Sequence, residues 1–229
     1  MKITENWLNH KIKEALVSEE SKQYNDYFKK HKDLFDLDSS KVAKKLIKDG
    51  EIDKAAWIIA HSLNKVEKLN LAILIGEKVL PVYEKMYKDE TLPREVIDLM
   101  KQYRRYLSKN NNIINLDVYE KNYSKLLSNH DEYIEDILSD AFHNTDKSKD
   151  FFKAKEALVA IEAIDSLFGR DNIKNEGVKE LEITDGEAIS AAIVISRNCV
   201  DKSDFDDIIK FTLNLLEKNE SKELSSKNL

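Results

Sequence analysis

The chain has 229 residues, of which 41% are hydrophobic and 35% are charged, and its formal net charge at pH 7 is −6. This balance is typical of a globular protein with a sizeable core, and the excess of negative charge opposes binding to a nucleic acid backbone. Only five Gly and two Pro are present, so the residues that punctuate β-hairpins are scarce. We therefore expect an all-α fold, a single irregular bundle of about eight to ten helices within residues 1–217.

The cysteine content and the hydropathy pattern indicate where the protein works. The single cysteine, Cys199, lies in an apolar run, which favours a buried thiol in a reducing compartment. Residues 1–16 carry charges every few positions, and no stretch approaches the ~20 apolar residues of a membrane span. The sequence therefore predicts a cytoplasmic protein that neither enters nor crosses a membrane.

The N-terminal quarter of the chain reads as short amphipathic helices. Apolar spacing predicts helices over residues 4–18 and 21–34, followed by a helix that Asp38 and Ser39 can cap and that Gly50 ends.

In the next predicted helix, residues 52–63, Trp57 and His61 lie one turn apart on the same face. No cysteine, second histidine or carboxylate stands at a catalytic spacing from His61. We interpret the pair as helix packing rather than as an acid–base site.

Residues 69–87 are expected to form the central helix. Residues 69–75 are apolar except for Asn70, so a helix here is apolar nearly all round and must be buried. Gly76 leaves room for a close neighbour, and Glu77 places a carboxylate where burial is expected, so that it needs a partner. Pro81 removes one helical hydrogen bond and bends the helix.

The next helix begins near Pro93 and supplies arginines that can pair with these carboxylates. Arg94, Arg104 and Arg105 are available to Glu77 or Glu84. A pair between Glu77 and Arg94 would fix the angle between two consecutive helices, so we predict this pair as a structural contact.

The same segment carries a family resemblance. It contains a small residue followed by Glu, a Val-Leu-Pro step, an aromatic-Glu pair, an acidic loop and a Pro-Arg helix start. These features are Gly76, Glu77, Val79, Leu80, Pro81, Tyr83, Glu84, Asp89, Pro93 and Arg94. The pattern resembles the immunity proteins of bacterial polymorphic toxin systems, the immunity-protein-5-like group. The resemblance implies a protein that binds and neutralises a cognate toxin domain.

The segment over residues 130–143 aligns potential metal ligands on one predicted helical face. They are Glu132, Asp136, Asp140 and His143. At 1.5 Å per residue they spread over about 16 Å, so at most two could reach one ion. We therefore expect a solvated acidic face with no metal and no other cofactor.

This acidic face is the candidate binding surface. Residues 131–187 hold sixteen Asp and Glu against seven Lys and Arg. Glu132, Asp136 and Asp140 are its candidate contacts with a basic protein partner. The alternative is a surface whose charge only keeps the protein soluble.

The C-terminal third is expected to end the bundle. A long helix is predicted over residues 150–168, and a capping box at Thr184 and Glu187 opens a second apolar helix that ends near Cys199. Its alanines, Ala188 among them, would suit a close approach near Gly76. A last amphipathic helix covers residues 205–216, and residues 218–229 are polar and expected to fray.

Three classes of function compete. The resemblance favours toxin neutralisation by protein–protein contact, and a helical adaptor or regulatory scaffold is the alternative. An enzyme is not expected, because the sequence has no Gly-rich phosphate loop, no Gly-x-Ser-x-Gly, no Cys-x-x-Cys and no His-Glu-x-x-His.

Overall fold

The computed structural model describes residues 2–14, 19–109, 148–169 and 185–227, and within them the chain is all-α. One short 3₁₀ helix, Lys32–Leu34, and one isolated bridge between Lys2 and Asp38 accompany the α-helices. The α-helices are α1 (Glu5–Glu14), α2 (Glu19–Lys30), α3 (Ser39–Lys48), α4 (Ile52–Ser62), α5 (Lys65–Glu84), α6 (Leu92–Lys109), α7 (Lys149–Gly169), α8 (Asp185–Cys199) and α9 (Lys202–Lys227). The prediction of an irregular multi-helix bundle is confirmed.

Helix α5 lies at the centre of the larger of the two apolar cores formed by the described residues. It packs against α6, α7, α8 and α9, which is how a helix with apolar residues nearly all round is accommodated. Leu71, Ala72, Ile75 and Val79 are fully buried. Among the described helices, α7 and α8 form the most extensive contact with each other, and both pack against α5.

One stripe of α5 remains close to solvent. Leu74 is only half-buried, and Glu77 and Pro81 are exposed. Residues 74, 77 and 81 follow the three- and four-residue steps that keep side chains on one helical face. The expectation that Glu77 is buried is therefore wrong, because Glu77 follows the core-facing Gly76 by 100° around the helix.

Gly76 lets two side chains, rather than another backbone, approach α5. A Cβ atom at Gly76 would lie 2.9 Å from Cγ1 and Cδ1 of Ile97 and 3.1 Å from Cδ1 of Ile164. The three atoms nearest to that Cβ position therefore come from α6 and α7, and none of them belongs to an α8 alanine.

The second core joins the N-terminal helices to α3 and α4. It contains Ile3, Leu8, Phe28 and Trp57, all almost completely buried. Ile3 holds the N-terminal segment in place, since its N–H donates to Leu37 O at 2.9 Å and its carbonyl accepts from Asp36 N at 2.8 Å.

Gly50 ends α3 with a φ of +83°, the left-handed conformation predicted from the sequence. Asp38 occupies the N-cap position of α3, but its side chain makes no capping hydrogen bond and instead pairs with Lys41 at 2.9 Å. The backbone N–H and hydroxyl groups at this helix start donate hydrogen bonds to an acceptor from elsewhere in the fold.

Helix α9 continues to Lys227, well past residue 218, where polar composition predicts fraying. Its last turns contact two other helices. The Glu220 carboxylate accepts hydrogen bonds from Ser39 and Ser40 at the start of α3, and Asn219 Nδ2 donates to Glu67 Oε2 at 2.8 Å at the start of α5. These polar contacts hold Asn219 and Glu220 against α3 and α5, which the polar composition does not reveal.

Candidate functional site

The residues that carry the family resemblance lie on the hairpin formed by α5 and α6. Glu84, in the last turn of α5, accepts two hydrogen bonds from Arg94 near the start of α6. One of them joins Arg94 Nε to Glu84 Oε1 at 2.7 Å, and the other joins Nη2 to Oε2. This two-point arrangement fixes the orientation of both side chains.

The predicted pair between Glu77 and Arg94 is wrong. Glu77 pairs instead with Lys101, whose Nζ lies 3.1 Å from Glu77 Oε1. The two observed pairs are separated by the same seven residues on each helix, so they lie at matching distances from the turn. A Glu77–Arg94 contact would require one helix to slide by about 10 Å at 1.5 Å per residue.

The remaining motif residues shape the turn of the hairpin. Pro81 lies inside α5 on its exposed side, and its carbonyl still accepts from Lys85 N at 3.2 Å. Asp89 is exposed in the connection between the helices. Pro93 is buried in the first turn of α6, where a helix does not use the N–H that proline lacks.

An open groove of about 480 Å³ runs beside this hairpin. Helix α5 forms one wall, the first turns of α7 form a second, and the junction between α8 and α9 forms a third. Its lining residues are Glu77, Lys78, Pro81, Val82, Lys85, Met86, Asp150, Lys153, Cys199, Asp201 and Asp204. Two residues of the resemblance, Glu77 and Pro81, thus belong to its rim.

Ion pairs connect the walls of the groove. Lys78 of α5 lies 2.5 Å from Asp204 and 2.8 Å from Asp207, both on α9. Its two carboxylate partners hold the pKa of the Lys78 ammonium above its usual range, so this cation stays charged. Lys85, directly after the last residue of α5, lies 3.2 Å from Asp150 of α7.

Cys199 forms part of the groove lining but is only 1% exposed. Burial, and then the negative charge of Glu156, raise the pKa of its thiol to about 12. The sulfur lies 3.5 Å from Ser196 O, a donor–acceptor distance for a weak S–H hydrogen bond. The thiol is therefore protonated at neutral pH and is neither a nucleophile nor a good metal ligand there.

Trp57 and His61 form a packed pair, as interpreted from the sequence. Their rings stack with centroids 4.3 Å apart, and His61 Nδ1 lies 2.9 Å from Trp57 O. The imidazole also faces the first turn of α8, since a Cβ atom at Gly186 would lie 2.6 Å from His61 Nε2. The histidine thus joins α4 to α8.

The candidate acidic contacts Glu132, Asp136 and Asp140 lie outside the described residues, as does His143. Within the described ranges, no group of three or more His, Cys, Asp or Glu side chains is arranged to hold a metal ion. Among the helices described, none is long and apolar enough to cross a membrane.

Sequence reasoning missed most of the groove. Lys78, Lys85, Asp150 and Asp204 come from three segments that are far apart in the chain, so no local motif joins them. The capping box of α5 was also missed, although its signal, Asn64 followed three residues later by Glu67, is present in the sequence.

Comparison with known proteins finds no matching family model, no matching curated protein and no matching solved structure.

Proposed function

We propose that this protein is an immunity protein, which neutralises a bacterial toxin domain in the cytoplasm by binding to it. The observation that supports this proposal is that the residues of the resemblance form one ion-paired hairpin. Glu84 and Arg94 fix the hairpin near its turn, and Glu77 and Lys101 fix it two turns away. A hairpin held in this way offers a partner a preformed surface, which lowers the entropic cost of binding.

The charge of the chain supports a basic partner. Toxin domains that attack nucleic acid need a basic surface, and an acidic inhibitor is steered toward such a surface over long distances. The acidic excess of residues 131–187 supplies this attraction, with Glu132, Asp136 and Asp140 as the proposed contacts. Association should therefore slow as the salt concentration rises.

The deciding experiment is coexpression with the toxin domain encoded in the neighbouring reading frame. Cells that make both proteins should survive, and the two proteins should elute together in gel filtration. If cells die equally with and without this protein, and no complex survives gel filtration, the proposal is wrong.

The binding surface is tested separately by charge reversal. The variant with Glu132→Lys, Asp136→Lys and Asp140→Lys should bind the toxin domain more weakly while its melting temperature stays close to that of the wild type. The control variant reverses the same number of exposed acids elsewhere, at Glu5, Glu90 and Asp206. Equal loss of binding in both variants would mean that only net charge matters.

A helical adaptor is the second candidate, and the open groove beside α5 favours it, because a concave surface suits a docking segment. An adaptor should bind several unrelated proteins that compete for one site. An immunity protein should bind its cognate toxin domain alone.

A further inference from the structure

Negative charge exceeds positive charge in the groove beside α5. Among the described residues of its lining, four carboxylates stand against three ammonium groups. At the α9 wall a single cation serves two acids, because Lys78 pairs both with Asp204 and with Asp207, which lies just outside the lining. A cationic occupant therefore complements the charge of this groove better than an anionic one.

Asp201 is the acid of the lining with which no cation of the described residues is paired. It is exposed, and its Oδ1 accepts the backbone N–H of Asp204 at 2.9 Å, which caps the start of α9. A carboxylate has lone pairs for about four hydrogen bonds. Asp201 can therefore keep its capping contact and accept a hydrogen bond from a partner's Lys or Arg at the same time.

The thiol of Cys199 responds to the charge on the α7 wall. Burial is the main cause of its raised pKa, and the negative charge of Glu156 raises this pKa further. Lys153, on the same helix, lowers the pKa by less than Glu156 raises it. Glu156 also accepts a hydrogen bond from Asn198, the residue before Cys199, at 3.5 Å. Lys153 therefore does not make this end of the groove positive.

The α5 wall of the groove offers apolar surface in the same lining. Val82 is half-buried, and Met86, just beyond the end of α5, is 37% exposed. Methionine adapts its shape to the side chains that pack on it. An occupant of the groove therefore gains from apolar side chains placed beside a basic one.

We propose that the groove between α5, α7 and the α8–α9 junction is a docking site for a segment of a partner protein that presents Lys or Arg beside apolar side chains. The basic side chain pairs with Asp201, and the apolar side chains pack on Val82 and Met86. This docking site does not depend on toxin neutralisation, so failure of the coexpression experiment would leave it unaffected.

The test uses the purified full chain and a displayed library of short random peptides. Peptides selected on the wild type should carry Lys or Arg beside Leu, Ile, Met or Phe. Their affinity should fall about two- to fivefold for Asp201→Asn, because an exposed ion pair is lost. The amide oxygen of Asn can still accept the N–H of Asp204, so the cap of α9 is kept.

Asp206→Asn is the matched control for this variant. It removes the same charge from an exposed position of the same helix that lies outside the groove lining. The affinity of the selected peptides should fall less for Asp206→Asn than for Asp201→Asn. Equal losses would mean that the peptides respond only to net charge and would overturn the proposal.

Two further variants test the sign of the charge and the apolar contact. Lys153→Gln removes a cation from the lining, so it should tighten the binding of the selected peptides, whereas an acidic occupant would bind more weakly. Met86→Ser should weaken binding more than Val66→Ser, which truncates an exposed apolar side chain of α5 outside the lining.

Four results would each overturn the proposal. They are no enrichment of peptides, selected peptides without a basic residue, binding to Lys153→Gln that is not tighter than binding to the wild type, and equal losses of affinity for Met86→Ser and Val66→Ser.

Discussion

Glu220 binds Ser40 through both of its carboxylate oxygens. Oε1 accepts the backbone N–H of Ser40 at 2.9 Å, and Oε2 accepts its hydroxyl at 2.6 Å. Ser39 adds a third hydrogen bond, from its hydroxyl to Oε1 at 3.1 Å. A carboxylate from the last helix thus caps the N-terminus of α3, where it also meets the positive end of the helix dipole.

Replacing this distant cap should destabilise the protein. Glu220→Ala removes the three hydrogen bonds and leaves the nearly buried Ser39 and Ser40 without their acceptor, so we expect a loss of about 1–3 kcal/mol in the free energy of unfolding. Urea denaturation followed by circular dichroism measures it. Glu217→Ala, which breaks the exposed contact with Lys44, is the control and should have a smaller effect. Equal losses of stability in Glu220→Ala and Glu217→Ala would contradict a capping role for Glu220.

The register of the α5–α6 hairpin predicts which charges are coupled. In a double-mutant cycle, Glu84→Gln and Arg94→Gln should show a favourable coupling energy, because each side chain loses its two-point partner. The cycle of Glu77→Gln with Arg94→Gln should be additive. Coupling in the second cycle and additivity in the first would restore the pairing predicted from sequence.

A side chain at Gly186 should be poorly tolerated. A Cβ atom there would lie 2.6 to 2.8 Å from three atoms of the His61 ring, which stacking on Trp57 holds in place. Gly186→Ala should therefore destabilise the fold by about 1–3 kcal/mol, as overpacking does. Thermal melting measures the loss.

The same contact gives a rescue experiment. If the clash with His61 causes the loss, Gly186→Ala should cost less when His61→Ala is already present. An unchanged cost of Gly186→Ala in that background would mean that another contact is responsible.

Two adjacent positions of α5 should respond differently to truncation. Ile75 is fully buried, whereas Leu74 lies half-buried on the stripe that also carries Glu77. Ile75→Ala should cost about 2–5 kcal/mol, since it leaves a cavity in the core. Leu74→Ala should cost clearly less in the same denaturant titration. A larger loss for Leu74→Ala than for Ile75→Ala would mean that the face of α5 carrying Leu74 is the buried one.

Cys199 should give the stability a distinct pH dependence at alkaline pH. The pKa of its thiol is raised from 9.0 to about 12 in the folded chain, so above pH 9 the unfolded chain loses this proton first. Its contribution to stability is complete below pH 9 and is lost as the pH rises toward 12.

The measurement compares the wild type with Cys199→Ala. The free energy of unfolding should fall more steeply between about pH 9 and 12 in the wild type, because the other titrating groups are common to both chains. Parallel curves for the two proteins would show that the thiol is not held in its protonated form.

Local periodicity was sufficient to predict the described helices in outline and the burial of α5. The apolar residues at 69–75 predicted that α5 is buried, and Gly50 predicted the end of α3. Both signals act within a few residues along the chain, so no knowledge of tertiary structure is needed.

The charge pairs and the groove could not be predicted in this way. Glu77 and Arg94 have opposite charges, but only the register of the hairpin decides that Glu77 meets Lys101 instead. The lysines and carboxylates that line the groove come together only when α5, α7 and α9 pack against one another. Such relationships depend on packing between distant segments, which a local pattern does not encode.

The contact between Glu220 and Ser40 also orders events during synthesis. The ribosome makes α3 before α9, and the carboxylate that caps α3 is added 180 residues after Ser40. Until then, the amide and hydroxyl groups at the start of α3 must bind water. Closing so long a loop carries an entropic cost, and contacts of this range form late and slowly. The start of α3 therefore gains this cap only after α9 has been synthesised.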